Sequence, residues 1–473
     1  MPSFTVRFTV ILFFVLISKT TIWAQYSEKT LNAGQVIEIV RTYHPVVLQA
    51  QWNIEASKAD LTIARGSFDP LFETYLAKKT FDGTNYYHQT SPSITIPTWY
   101  GIEIYSGIDN YTGNYLDPTK SKNKTGYFGI SIPLAKDLLM DNRRATLKQA
   151  KIMNTMAFAE QKAEINILLL NTMEAYWTWV KSYQLLQIIN EGVRINETRF
   201  ELVKKSFLNG EKAAIDTVEA LTQLQSFQNQ QQQYWLEFQN SGLQLSSFLW
   251  QENNQPYLLP SEVTPAANWE NEIDLQSLDL NLASLLAAGE NAHPALRIYD
   301  FKLEMLEINK KLKFQKLLPK ADFNYNLLGK GYNPFPVNDI SPLFQNNYQY
   351  GFKFALPLRL SEGRGEYRNA KIKIEQATMA QTQKRLEISI KIKSYFNELN
   401  TVKQQIAIQE QNATNYQRLV DAEEVRFQNG ESSLFLINSR ENKFLEAKQK
   451  LISLKTTYFK TIYALQASAG QLQ

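Results

Sequence analysis

Phe207-Leu208-Asn209-Gly210-Glu211 recurs as Phe427-Gln428-Asn429-Gly430-Glu431, 220 residues further along the chain. Each copy closes a very long stretch with almost no helix breaker. Asp141 to Ser206 has no proline and a single glycine, Gly192; Glu366 to Gln428 has neither residue. At 1.5 Å per residue each stretch is a helical rod of roughly 100 Å. Asn-Gly is a good helix stop and tight turn. Returning helices are therefore expected over Ala213 to Phe248 and Leu434 to Ala469. Leu386, Ile388, Ile390 and Ile392 alternate as a strand would, but flanks rich in Lys, Glu and Gln favour helix there.

Other markers repeat in the same order. His44-Pro45 returns as His293-Pro294, and Pro70 as Pro319, both 249 residues on. Phe128 to Leu134 resembles Gly351 to Leu358, with Pro133 and Pro357 offset by 224. Four ordered matches indicate an internal duplication. The falling offset places an insertion in the first half, between Pro70 and Phe128. The domain division that follows is a first repeat over 25–250, a linker over 251–276 carrying Pro256, Pro260 and Pro265, and a second repeat over 277–473.

Each repeat reads alike. A short helix (Ala33 to Thr42) precedes His44-Pro45, and proline suits a helix start because its missing N–H would be unpaired there anyway. Leu48, Trp52, Ala56, Ala59 and Ile63 then form one helical face, which Gly66 and Pro70 end. Strand patterns follow at Leu71 to Lys79, Gly126 to Pro133, Asp322 to Leu328 and Tyr348 to Pro357, two per half and four in all. Phe81 to Lys124 and Gly329 to Asn347 are dense in turn formers. They read as long surface loops facing the cell exterior, with extra hairpin strands left open for the first.

The start of the chain sets the compartment. Arg7, the apolar run Phe8 to Ile17 and the more polar Ser18 to Ala24 have the layout of a secretory signal peptide over 1–24. The apolar run is short for a spanning helix, which needs about 20 residues. There is no cysteine, so disulfides, thiolate metal sites and cysteine nucleophiles are excluded. Only His44, His88 and His293 are present, too few for a histidine-rich metal site. The formal charge of +4 falls to +2 once Arg7 and Lys19 leave with the leader, and no basic run invites nucleic acid. After the leader no stretch is long and apolar enough to span a bilayer as a helix, so any crossing must use strands.

Enzyme chemistry finds no support. Nothing places two carboxylates in a pocket, and no glycine-rich phosphate loop follows a strand. Ser361-Glu362-Gly363-Arg364-Gly365 reads as the turn opening the second rod. His44 and His293 stand at helix starts, where they cap rather than ligate. No catalytic, cofactor or metal site is expected.

Such long hairpins, with Gln-rich stretches like Gln228 to Gln233, need neighbours to pack against. Four strands cannot close a membrane barrel, which takes about eight or more. Strands in lipid therefore require oligomerisation. Taken alone, the strands fit an ordinary soluble sheet packed on helices equally well.

The leader, the duplicated halves, the His-Pro helix starts, the Ile-Pro-Leu and Leu-Pro-Leu strand ends and the Phe-x-Asn-Gly-Glu tips together resemble TolC-type outer-membrane efflux proteins. The resemblance spans nearly the whole mature chain, and its specificity lies in the ordered duplication. It implies a mainly α fold with a small β part. Long antiparallel coiled-coil helices would form a periplasmic tunnel, and four strands per protomer would enter a twelve-stranded barrel of a homotrimer in outer-membrane lipid. It implies docking at the tips by a periplasmic adaptor protein and an inner-membrane transporter, either a proton-driven pump or an ABC exporter. The function implied is a passive exit duct for small molecules or proteins. The alternative is a periplasmic or surface coiled-coil scaffold without transport.

The resemblance also points to the tip turns Asn209, Gly210, Asn429 and Gly430, and to acidic residues past them that line or close the periplasmic entrance. The matching positions are Asp216 and Glu219 in the first half, but Leu436 and Ser439 in the second. The basic residue that some relatives place after the second tip is Ser432 here. Arg426 and Arg440 are candidate partners for Asp216 and Glu219 if the hairpins lie side by side. Equally open is that the two acids merely favour the positive end of a helix.

Overall fold

The helix-breaker pattern translates directly into the computed structural model, which describes residues 30–115, 117, 119–271, 281–331 and 347–472. The expected leader, the last residues of the linker and most of the Gly329–Asn347 segment lie outside these. In the first half α1 (Ala33–Tyr43) and α2 (Pro45–Gly66) lead into strands, then α3 (Asn142–Leu208) and α4 (Ala214–Ser246). The second half repeats this with α5 (Leu282–Asn291), α6 (Pro294–Gln315), α7 (Ser361–Gln428) and α8 (Leu434–Ser468). The rods α3 and α7 have 67 and 68 residues. Among the described residues no helix is long and apolar enough to cross a membrane.

Local chemistry explains the boundaries. Nδ1 of His44 accepts from the Val46 N–H at 3.2 Å, and Nδ1 of His293 accepts from Ala295 at 3.1 Å. Both histidines are helix caps ahead of a first-turn proline. The alternating Leu386–Ile392 stretch is helical. Ile388 and Ile392, four apart, are buried, while Leu386 and Ile390 are exposed. Ser361–Gly365 is not a turn but the first turn and a half of α7. Gly363 is required because a Cβ there would stand 2.7 Å from the Lys316 carbonyl oxygen. Gly192 has a similar reason: a Cβ would lie 2.4 Å from the Phe227 ring, which is buried against α3.

The helices stand in four columns. α2 and α4 cover successive lengths of one side of α3; α6 and α8 cover the other side, and α7 packs on α6 and α8. The core lies around the middle of α3. Tyr176, Trp177 and Trp179 are fully buried there, and Trp177 stacks on Phe459 of α8 at 4.4 Å. α1, α5 and the linker form a collar over it. Thr264–Pro265 of the linker pairs in parallel with Thr30–Leu31, and Trp269 is buried. The linker as far as Asn271 is thus packed structure rather than a loose tether.

Among the described residues the long strands form one antiparallel meander of six: β1 (Leu71–Phe81), β2 (Thr84–Pro97), β3 (Glu103–Thr112), β4 (Asn123–Pro133), β5 (Lys320–Lys330) and β6 (Tyr348–Ala355), paired in chain order. Here the sequence expectation of four strands is corrected. The Phe81–Lys124 insertion contributes β2 and β3. It is therefore not a single exterior loop. Asp82–Gly83, the end of β3 at Thr112 and the start of β4 at Asn123 lie at the end away from the helices. The β2–β3 turn, 98–102, returns to the helical end.

His293 gives a test of the collar. As an acceptor it must stay neutral, and burial, reinforced by Lys384 and Lys391, pushes it down to about 4 from 6.5. Between those values the unfolded chain binds more protons than the folded one, so stability falls as pH drops from 6.5 toward 4. His293→Asn keeps a capping acceptor without titrating. In thermal melts it should match the parent near neutral pH and lose part of the acid slope. An identical slope would remove His293 from the account.

Candidate functional site

Both tips are built by the same backbone device. Gly210 and Gly430 have φ of +81° and +78°. Gly210 N–H donates to Phe207 O and Glu211 N–H to Ser206 O, both at 2.9 Å; Gly430 donates to Phe427 at 3.1 Å and Glu431 to Arg426 at 2.8 Å. This paired reach back over the last turn satisfies orphan carbonyls and needs a left-handed residue, hence glycine. The Asn-Gly tip turns of the two repeats therefore match in geometry as well as in sequence.

The hairpins do lie side by side. Val203, Ala220, Leu434 and Ile437 are buried together, and the Lys212 ammonium sits 4.8 Å from the Phe427 ring centre. Higher up, Arg199 of α3 and Glu441 of α8 form a buried fork, with N–O distances of 2.7 and 3.2 Å. Asn196 adds a third donor to Glu441 at 3.2 Å. Helix periodicity alone did not single out this pair, because Arg199 and Glu441 are charged residues in helices full of charges.

The four expected gate residues are not brought together. Asp216 turns back on its own helix, where its Oδ2 accepts from the Ala213 N–H at 3.1 Å. That is the reciprocal half of a capping box. Glu219 lines a surface groove between α4 and α8 with Ile215, Val218, Phe435 and Ser439. Arg426 and Arg440 point instead at the buried Glu423, at 3.6 and 3.9 Å, and neither pairs with Asp216 or Glu219 among the described contacts. Ser432 donates to Glu423 at 2.6 Å. The Ser432 hydroxyl thus helps to satisfy a buried acid.

At the other end the sheet has two unlike faces, because successive side chains alternate across a strand. One cross-strand row reads Ile96, Ile104, Ile130, Tyr325, Tyr350. A row on the opposite face reads Leu71, Thr95, Tyr105, Gly129, Asn326, Gln349. Large apolar side chains on the first face stay open to solvent in the single chain, among them Phe72, Ile94, Phe352 and Phe354. So extensive an exposed apolar surface is abnormal for a soluble monomer. Among the described residues no cluster of His, Cys, Asp or Glu could hold a metal ion.

The sequence pattern of the outer membrane efflux protein family matches residues 36–249 and 331–471. No curated protein matches the chain. Among solved structures, the chain is similar to the CmeC outer membrane channel of Campylobacter jejuni, at 15% identity, 93% coverage of this chain, 86% of that chain and a TM-score of 0.66. The outer membrane protein VceC of Vibrio cholerae gives 14%, 93%, 96% and 0.63. The open-state MtrE channel of Neisseria gonorrhoeae gives 12%, 93%, 90% and 0.63. At these identities the likeness establishes the fold.

The buried fork yields a prediction. Arg199→Met leaves Glu441 buried without its partner and should cost about 3–5 kcal/mol. Adding Glu441→Leu should recover most of that loss. Denaturant titration of the four species would show it. Additive losses would mean the two residues act independently.

Proposed function

The chain belongs to the outer membrane efflux protein family, and on that premise we propose that it is the outer-membrane exit duct of a tripartite export system, working as a homotrimer. The observation that carries the reading is the two-faced sheet, apolar on one side and polar on the other, set on helices about 100 Å long. Its edge strands β1 and β6 pair with no further strand among the described residues. In lipid such edges must find partners. A second copy supplies them in the right sense, since β1 runs away from the helices and β6 toward them. A closed ring of copies leaves no edge.

Energy for transport would come from an inner-membrane transporter, joined through a periplasmic adaptor at the tips. The exposed Ile215, Val218 and Phe435 beside Glu219 offer an apolar surface for neighbouring helices. At the entrance, Glu219 is the better candidate for an acidic ring than Asp216, whose carboxylate is engaged in capping. Arg426 and Arg440 then hold the second tip through Glu423 and reach the gate only indirectly. The repeats over 25–250 and 277–473 would each supply one hairpin of the wall.

The mature chain should fractionate with the outer membrane and run as a trimer after detergent extraction. Recovery as a soluble monomer would contradict the duct. In planar bilayers Glu219→Gln should weaken block by multivalent cations. Asp216→Asn should leave block nearly unchanged and loosen the start of α4 by about 0.3–1 kcal/mol. Equal effects of the two would show that the acids act as one ring.

A further inference from the structure

The insertion in the first repeat has its own architecture. β2 and β3 have 14 and 10 residues, long enough to cross a bilayer at a strand tilt near 45°. Their turn is fastened to the helical end. Phe68, just past α2, stacks on Trp99 at 4.3 Å. Arg143 of α3 pairs with Glu103 at 2.7 Å. The Arg144 guanidinium donates to the carbonyls of Tyr100, Leu138 and Asp137. Gly101, at φ +83°, leaves room for it.

The inserted strands also obey the face pattern of the rest. Ile94, Ile96, Ile104 and Ile108 fall on the apolar face with Phe128 and Ile130; Ser93, Thr95, Tyr105 and Asp109 fall on the polar one. β3 is locked to β4 by a reciprocal device. Tyr105 pairs with Gly129 and Gly107 with Tyr127, and each ring lies where the opposite glycine would carry its Cβ. A loop folded over the outside would have no reason to keep this alternation or to anchor its middle beside the long helices.

We propose that β2 and β3 are full members of the barrel wall, so that three copies of this chain close an eighteen-stranded barrel rather than the twelve-stranded one the family resemblance implied. The inference rests on the trimeric duct proposed above. Its consequence is width. At about 4.8 Å spacing and about 40° tilt a strand takes about 6 Å of circumference, against about 9 Å for a helix. Six strands then span about 38 Å per protomer and four helical columns about 36 Å, whereas four strands would span only about 25 Å. The wall in the membrane matches the helical palisade below it and sets no narrower limit on what leaves. Eighteen strands is the size at which barrels hold an aqueous channel.

The absence of native cysteine makes the test clean. Asp82→Cys, in the β1–β2 turn, should react on intact cells with a maleimide coupled to a folded protein too bulky to enter the lumen. Tyr100→Cys, in the β2–β3 turn, should react at least tenfold less until the cells are broken. Within β3, Ile108→Cys should be reached by a lipid-soluble maleimide and Asp109→Cys by a water-soluble one. Full labelling of Tyr100→Cys on intact cells, or identical behaviour of the two β3 positions, would overturn the wide barrel while leaving a trimeric outer-membrane duct standing. Absence of the chain from the outer membrane would overturn both.

Discussion

A backbone N–H or C=O left unpaired in hydrocarbon costs several kcal/mol, and this constraint governs the molecule. Among the described residues the sheet pairs six strands in chain order, with β1 at one edge and β6 at the other. A single protomer in lipid would strand a row of polar groups along each edge. The apolar face, with Phe72, Phe352 and Phe354 exposed, is equally unsuited to water. Both difficulties vanish together when copies close in a ring within the membrane.

The helical part is in step with the sheet. β1 follows α2, β4 precedes α3, β5 follows α6 and β6 precedes α7, so sheet and helix columns share the same two outer edges. A rod about 100 Å long has little private core, and the protein concentrates it beneath the collar, around Trp177 and Phe459. Farther down, the hairpins are held by Arg199 and Glu441 and by the cluster around Val203 and Ile437. The buried Arg199–Glu441 pair joins α3 to α8, and leaving either charge without the other would be costly.

The duplication, the rods, their Asn-Gly ends and four of the strands were legible because each follows from spacing or a backbone requirement. β2 and β3 were not. Pro92, Pro97, Gly101, Gly107 and Gly113 break the segment, and one face of each strand is rich in Ser, Thr, Tyr and Asp, so the segment reads as loop with hairpin strands only an open alternative. The signal was present in Ile94-x-Ile96 and in Ile104 and Ile108, apolar at even spacing. A barrel strand with a polar lumen face carries only half the hydrophobic pattern of a core strand. Within one copy Arg426 and Arg440 face Glu423 rather than Asp216 or Glu219, and for another reason this was not legible. Periodicity assigns Arg426 and Arg440 to helix surfaces, but only packing reveals that the Glu423 they face is buried.

The central claim is that six strands per copy close one wall. Single-particle imaging of the assembly in a lipid disc, at a resolution that separates strands, counts them directly. The account predicts eighteen strands around a threefold axis, with residues 84–112 inside the wall. A twelve-stranded barrel with that segment folded outside it would contradict the account.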